Sequence, residues 1–123
     1  MPDPTANPPA LNGRTVLIAE PNPLIAMDVA ATIRGWGAEP LIYFELDSMQ
    51  QEAVTQNVSA ALIDLPDAHP LQTELIARLN RNRVPIVLTT AGRKDFIAAA
   101  LPGLPVFEKP VDYAALAQWF AQL

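Results

Sequence analysis

Val58-Ser59-Ala60-Ala61-Leu62-Ile63-Asp64-Leu65-Pro66 is an apolar run that ends in one carboxylate and is stopped by proline. A short continuous apolar run bounded by turn signals suits a strand buried on both faces. An unpaired carboxylate inside a core is costly, or shifts its pKa until it is neutral. Asp64 therefore belongs at the carboxyl edge of a parallel sheet, where open α/β folds keep their sites.

Working outward, the same pattern recurs. Thr15-Val16-Leu17-Ile18-Ala19 is an apolar strand ending at Glu20. Pro40-Leu41-Ile42-Tyr43-Phe44 is a second, and the Asp64 run is the third. Val84-Pro85-Ile86-Val87-Leu88-Thr89-Thr90 is the fourth, and Leu104-Pro105-Val106-Phe107 is a brief fifth, followed by Glu108-Lys109-Pro110. Helical signals fill the gaps. Asn22-Pro23 reads as an N-cap with proline at the first helical position. The helix it opens runs to about Gly35, with Leu24, Met27, Ala31 and Arg34 at helical spacing, and likewise Ile25, Val29 and Ile33. Gly35 and Gly37 around Trp36 end it. Asp47 or Ser48 caps a short polar helix to about Gln56, with Met49, Ala53 and Val54 as its apolar stripe. After a loop from Pro66 to His69, Pro70 opens a helix with Leu71, Leu75, Ile76 and Leu79 inward. Arg78, Arg81 and Arg83 at its end complement the helix dipole. Gly92 to Ala100 forms a short helix, and the last one starts near Asp112 and buries Leu116, Trp119, Phe120 and Leu123.

Strand and helix thus alternate five times with short connections. This predicts a doubly wound α/β domain, a five-stranded parallel sheet with right-handed crossovers and helices on both faces. Residues 1–13 hold four of the thirteen prolines and almost no apolar periodicity, and read as a flexible proline-rich tail ahead of a domain over 14–123. Pro2, Pro4, Pro8 and Pro9 suit a plain leader better than a polyproline ligand.

Composition narrows the function. Half of the 123 residues are apolar and 17% are charged, as in a globular domain. No run approaches the ~18 apolar residues of a membrane span, and no signal-peptide pattern opens the chain. The expectation is a cytoplasmic protein with no membrane partner. The net charge of −5 argues against a nucleic-acid partner. With no cysteine and one histidine, neither disulfides nor a zinc site has support.

The strand ends carry the chemistry. Glu20, Asp64, Thr90 and Lys109 follow the first, third, fourth and fifth strands, so all project toward one edge. A carboxylate can act as a nucleophile. Lysine and hydroxyl groups can hold phosphoryl oxygens. A carboxylate can also ligate magnesium, which takes one or two protein carboxylates plus phosphate and water. Together these residues form a phosphoryl-handling set.

Four pieces carry a resemblance: Val16-Leu17-Ile18-Ala19-Glu20, Ala61-Leu62-Ile63-Asp64, Pro85-Ile86-Val87-Leu88-Thr89-Thr90-Ala91 and Val106-Phe107-Glu108-Lys109-Pro110. In this order, each closing a strand, they resemble the receiver domain of response regulators. That is the CheY-like, flavodoxin-type fold with strand order 2-1-3-4-5. The resemblance covers about Arg14 to Leu123. It implies Asp64 as phosphoacceptor, Thr90 as switch hydroxyl and Lys109 as the phosphate-contacting lysine, with a cis bond at Lys109-Pro110. It implies magnesium on Glu20, Asp64 and the backbone carbonyl of Pro66. It implies a histidine kinase or phosphotransfer protein as phosphoryl donor and an unknown downstream protein as target. Activity would be at most self-phosphorylation and autodephosphorylation at Asp64, not that of a conventional enzyme. With no output domain after the last helix, the expectation is a single-domain regulator, a monomer or weak dimer.

Three departures qualify the resemblance. Receivers normally carry two adjacent acids after the first strand, the second a direct magnesium ligand. Here the pair is Glu20-Pro21, and proline offers no side-chain oxygen, so metal affinity drops. Thr90 lies 26 residues after Asp64, a few fewer than receivers usually have, and Leu65-Pro66-Asp67-Ala68-His69-Pro70 replaces the usual loop pattern. The aromatic switch position three before the lysine is Val106, while the adjacent Phe107 points to the other face of its strand. A phosphorylation-independent pseudo-receiver, acting as a protein-interaction module, is the alternative these departures favour. A flavodoxin-like enzyme or nucleotide binder would want a glycine-rich first turn, the opposite of Glu20-Pro21-Asn22-Pro23. On the surface around the fourth helix, fifth strand and fifth helix, whose partner affinity would change on phosphorylation, Ala98 to Ala100 and Leu101 to Pro105 form an apolar candidate contact patch.

Overall fold

The computed structural model describes residues 11–65, 70–92 and 94–123, with backbone alone for 70–72. Its elements are β1 (Thr15–Ala19), α1 (Pro23–Gly35), β2 (Glu39–Tyr43), α2 (Ser48–Thr55), β3 (Ala60–Asp64), α3 (Pro70–Arg81), β4 (Ile86–Thr90), α4 (Lys94–Ala100), β5 (Val106–Glu108) and α5 (Tyr113–Ala121). The strands form one parallel sheet in the order β2-β1-β3-β4-β5, as expected. β3 and β4 are buried along their whole length, which is why they read as unbroken apolar runs. Pro40, which cannot donate to a ladder, is tolerated because β2 lies at the sheet edge.

Strand alternation divides the core in two. Val16, Ile18, Ala60, Leu62 and Val87 face α1 and α5, packing with Val29, Ile33, Leu116 and Phe120. Leu17, Ala61, Ile63, Ile86, Leu88 and Val106 face the other helices, packing with Val54, Leu75, Leu79 and Ile97. Each fully buried large side chain contributes about 1.5–3 kcal/mol. Helix starts follow the expected capping chemistry. Asn22 Oδ1 accepts from the Leu24 and Ile25 amides at 3.0 and 3.3 Å. Asp47 and Gln50 form a capping box, and Asp112 caps α5. Each such cap is worth about 1 kcal/mol.

Several expected faces turn out differently. The buried arc of α1 is Ala26, Val29, Ala30 and Ile33. Small alanines let the helix settle close to the sheet, which rotates Leu24 and Met27 outward to 79% and 62% exposure. On α2 the inner residues are Gln51, Val54 and Thr55, the Gln51 amide donating to the Leu46 carbonyl, while Met49 is 82% exposed and Ala53 also faces water. Leu123 lies beyond the end of α5 and is exposed; Ala117 takes its place in the core. Trp36 and Trp119 pack edge-on against Phe120, with ring centroids 6.0 and 4.9 Å away. β2 and β5 each sit one or two residues away from the expected runs, set by the registers Thr15–Glu39 and Leu88–Val106.

Residues ahead of Arg14 also pack against the sheet and α1. Leu11 is fully buried beside Val16 and Trp36. The Gly13 amide donates to the Gly37 carbonyl at 2.9 Å. Gly37 has φ +86, and a Cβ there would meet Asn12 Oδ1 at 2.6 Å, so the turn needs glycine.

Candidate functional site

The carboxyl edge of the sheet gathers four of the expected residues. Glu20 follows β1 on the same face as Ile18, and Asp64 closes β3 on the same face as Leu62. Lys109 follows β5 on the face of Phe107, so these three meet on the α1 and α5 side. Backbone bonds fix the rim: Glu20 N–H to Tyr43 O at 3.1 Å, Leu65 N–H to Thr89 O at 2.8 Å and Lys109 N–H to Thr90 O at 2.8 Å. The Lys109-Pro110 bond is cis, as the resemblance implied.

Lys109 joins the two acids. Its Nζ lies 2.5 Å from Glu20 Oε1 and 2.7 Å from Asp64 Oδ1. Glu20 is 1% exposed and Asp64 3%, so both carboxylates have left bulk water. The second Glu20 oxygen accepts from the Asn22 amide at 3.1 Å. Asn22 thus does two jobs: its side chain caps α1 and its backbone holds Glu20. Burial pushes the Asp64 carboxyl above its ordinary range; the Lys109 hydrogen bond opposes this, the Glu20 charge adds to it, and the Lys109 charge again opposes it. Burial alone would lower Lys109, but its bonds to Asp64 and Glu20, with their charges, outweigh that and raise it. By formal charge the trio carries two negative charges and one positive, a net of one negative charge on buried side chains.

Thr90 belongs to the other face, two residues after Leu88, in register with Glu108. It is fully buried, and its Oγ1 accepts from the Gly92 amide at 2.8 Å. The structure therefore brings Glu20, Asp64 and Lys109 into contact and places Thr90 at the same sheet edge, its hydroxyl oxygen accepting from the Gly92 amide. Val106 packs with Ile97 and Leu88 on that Thr90 side, whereas Phe107 is half-buried on the opposite side. Pro66 and His69 lie outside the described residues.

The donor set meets the least that magnesium accepts. Glu20 and Asp64 supply hard carboxylate oxygens, within the one or two protein carboxylates the ion takes alongside phosphate and water. Pro21 adds no side-chain oxygen, and among the described residues no group of three acidic or histidine ligands exists. Both acids already share the Lys109 ammonium, which an entering ion must share or displace.

Two features escaped sequence reasoning. Thr89, in register with Asp64, has a buried hydroxyl without a hydrogen-bond partner among the described residues. Tyr113 Oη donates to Asp28 Oδ2 at 2.6 Å, tying the start of α5 to α1. Asp28 reads in the sequence as an ordinary exposed helix acid, and nothing local pairs it with a tyrosine 85 positions on.

No protein-family model matches the chain, and no curated protein matches it. Solved structures do. The receiver domain of the PhyR response regulator from Erythrobacter litoralis is similar at 20% identity and TM-score 0.72, over 92% of this chain and 91% of that one. A response regulator receiver protein from Sinorhizobium medicae is similar at 18% identity and TM-score 0.73, over 91% and 94%. The receiver domain of a sensor histidine kinase from Pseudomonas aeruginosa, solved with magnesium coordinated in its active-site cleft, is similar at 23% identity and TM-score 0.68, over 89% and 96%. The chain has the CheY-like receiver fold. Among the described residues no helix is long and apolar enough to cross a membrane.

Proposed function

We propose that the chain is a cytoplasmic response regulator of a two-component system or phosphorelay, accepting a phosphoryl group on Asp64 from a phosphohistidine. The observation that carries this reading is the Lys109 ammonium held between Glu20 and Asp64 at the sheet's carboxyl edge, 2.5 and 2.7 Å from the two acids. An oxygen of the Asp64 carboxylate attacks phosphorus as the P–N bond breaks, its electron pair returning to the imidazole ring of the donor. An acyl phosphate forms. Lys109 keeps Glu20 and turns toward a phosphoryl oxygen, neutralising part of the added charge. Thr90, whose oxygen accepts from the Gly92 amide, donates its hydroxyl hydrogen to another phosphoryl oxygen. Glu20, Asp64 and the Pro66 carbonyl would hold magnesium, which would supply further charge neutralisation at the phosphoryl group. The phosphorylated form then favours the arrangement that best holds the new charge, which shifts affinity for a downstream protein.

A protein donor fits the surface beside the site. Leu24, Met27 and Ala31 form an exposed apolar stripe on the helix that follows Glu20 directly. Of the patch near α4, Ala98, Ala99 and Ala100 are exposed, whereas Leu101 and Leu104 pack partly into the core.

A second reading, a pseudo-receiver working without phosphorylation, is favoured by one observation: Pro21 replaces an acid, and both oxygens of Glu20 are committed, to Lys109 and to Asn22. Beryllofluoride with millimolar magnesium separates the two, followed by amide NMR. The phosphoacceptor reading expects Thr90, Ala91 and Lys109 to shift. Unmoved signals at all three would leave the interaction module standing.

A further inference from the structure

Two polar rungs join α1 and the residues leading into it to the segment that carries Lys109. One is the Lys109–Glu20 ion pair. The other is the Tyr113 hydroxyl on Asp28, at 2.6 Å. Glu20 is rigidly tied to the start of α1, because the Asn22 amide holds its second oxygen while the Asn22 side chain caps the helix. At the other end, Asp112 already caps α5, so the Tyr113 hydroxyl is not needed to close that helix. The Tyr113 ring is half-buried in the same cluster as Phe107 and Val111, which flank Lys109 in the chain. Burial first, then the Asp28 bond and charge, hold its hydroxyl well above the ordinary phenol value, against a weaker opposing bond with Thr32. It is therefore a proton donor throughout the working pH range.

Lys109 needs such support. Its ammonium ends a flexible four-carbon chain, and its backbone is held to β4 at Thr90. Where Nζ rests depends on where residues 109–113 rest. We propose that Tyr113 and Asp28 form a latch that fixes this segment against α1 and so holds Lys109 across Glu20 and Asp64. Tyr113 and Asp28 are then positioning residues, acting on the acids only through Lys109. The consequence for phosphoryl acceptance rests on the function proposed above; the latch itself does not.

The test is the side-chain ammonium signal of Lys109 in nitrogen-edited NMR of the full chain. In the native protein it should exchange slowly with water. Tyr113→Phe and Asp28→Ala should each speed that exchange roughly tenfold by local opening, and Asp28→Asn, whose amide oxygen still accepts, should fall between. Glu74→Gln, which breaks the remote Arg78 pair, should change nothing. A loss of packing alone would not discriminate Asn from Ala at exposed Asp28 in this way. If Tyr113→Phe fails to fold, the two Asp28 variants decide. An unchanged Lys109 signal in folded Asp28→Ala overturns the latch. Acetyl phosphate labelling of the same proteins reads the other claim: an unlabelled native protein overturns phosphoryl acceptance, while the ammonium signal still decides the latch.

Discussion

Lys109→Met removes one ammonium and keeps most of the aliphatic stem. What remains is Glu20 at 1% exposure and Asp64 at 3%, both deprived of the cation that lies 2.5 and 2.7 Å away in the native protein. Removing one partner of a buried ion pair costs about 3–5 kcal/mol, because the charge left behind cannot regain water. The Asn22 amide still holds one Glu20 oxygen, so the lower end, about 3 kcal/mol, applies at neutral pH. For a domain of this length that is a fall in Tm of about 12 °C. The cost depends on pH. Asp64 already holds its proton above the ordinary carboxylate range in the native state, through burial first. Without Lys109 nothing offsets burial and the Glu20 charge at Asp64, so Asp64 binds its proton more tightly in the folded chain than in the unfolded one. Acid therefore stabilises the variant relative to the native protein, and the gap closes below about pH 4. At the alkaline end Lys109 is raised by its partners, so its contribution is complete below 10.5 and is lost as pH rises through its folded value. Urea unfolding, followed by Trp36 and Trp119 fluorescence at several pH values, measures the gap. A loss under about 1 kcal/mol at neutral pH, or a gap that does not shrink in acid, would refute the claim that Lys109 neutralises a buried acid pair.

Other outcomes follow from the same geometry. Asp64→Asn removes a carboxylate whose ionised form the fold disfavours, and should raise stability at neutral pH by about 1 kcal/mol in urea unfolding. Pro21→Asp, at an exposed position beside Glu20, should raise magnesium affinity by about tenfold, read by titration. No change would mean that Pro21 is not what limits the metal site. Gly37→Ala forces a side chain into φ +86 and against Asn12, and should cost more than about 1 kcal/mol in thermal unfolding.

The sequence carried what depends on neighbours along the chain. The buried strand before Asp64, the polar residues closing β1, β4 and β5, and the caps at Asn22, Asp47 and Asp112 all rest on local chemistry and were legible. Which helix face packs was less so. Leu24 and Met27 have the right spacing for a core stripe, but Ala26 and Ala30 win because a small-residue face brings α1 closer to the sheet. The site was legible in its members and not in its contacts. That Asn22 would hold Glu20, that Thr90 would rest on Gly92, or that Tyr113 would reach Asp28 depends on side-chain directions set by the packed fold. Leu11 was hidden for a related reason: a single apolar residue after a proline-rich stretch has no periodicity to announce its burial.

The central claim is that Asp64 accepts a phosphoryl group. Mass spectrometry of the Asp64 peptide, after incubation with acetyl phosphate and magnesium, tests it most directly. The account predicts one phosphoryl mass increment on that peptide, absent in Asp64→Asn and reduced in Lys109→Met. An unmodified peptide under conditions that label a known receiver domain, or equal labelling in Asp64→Asn, would contradict it.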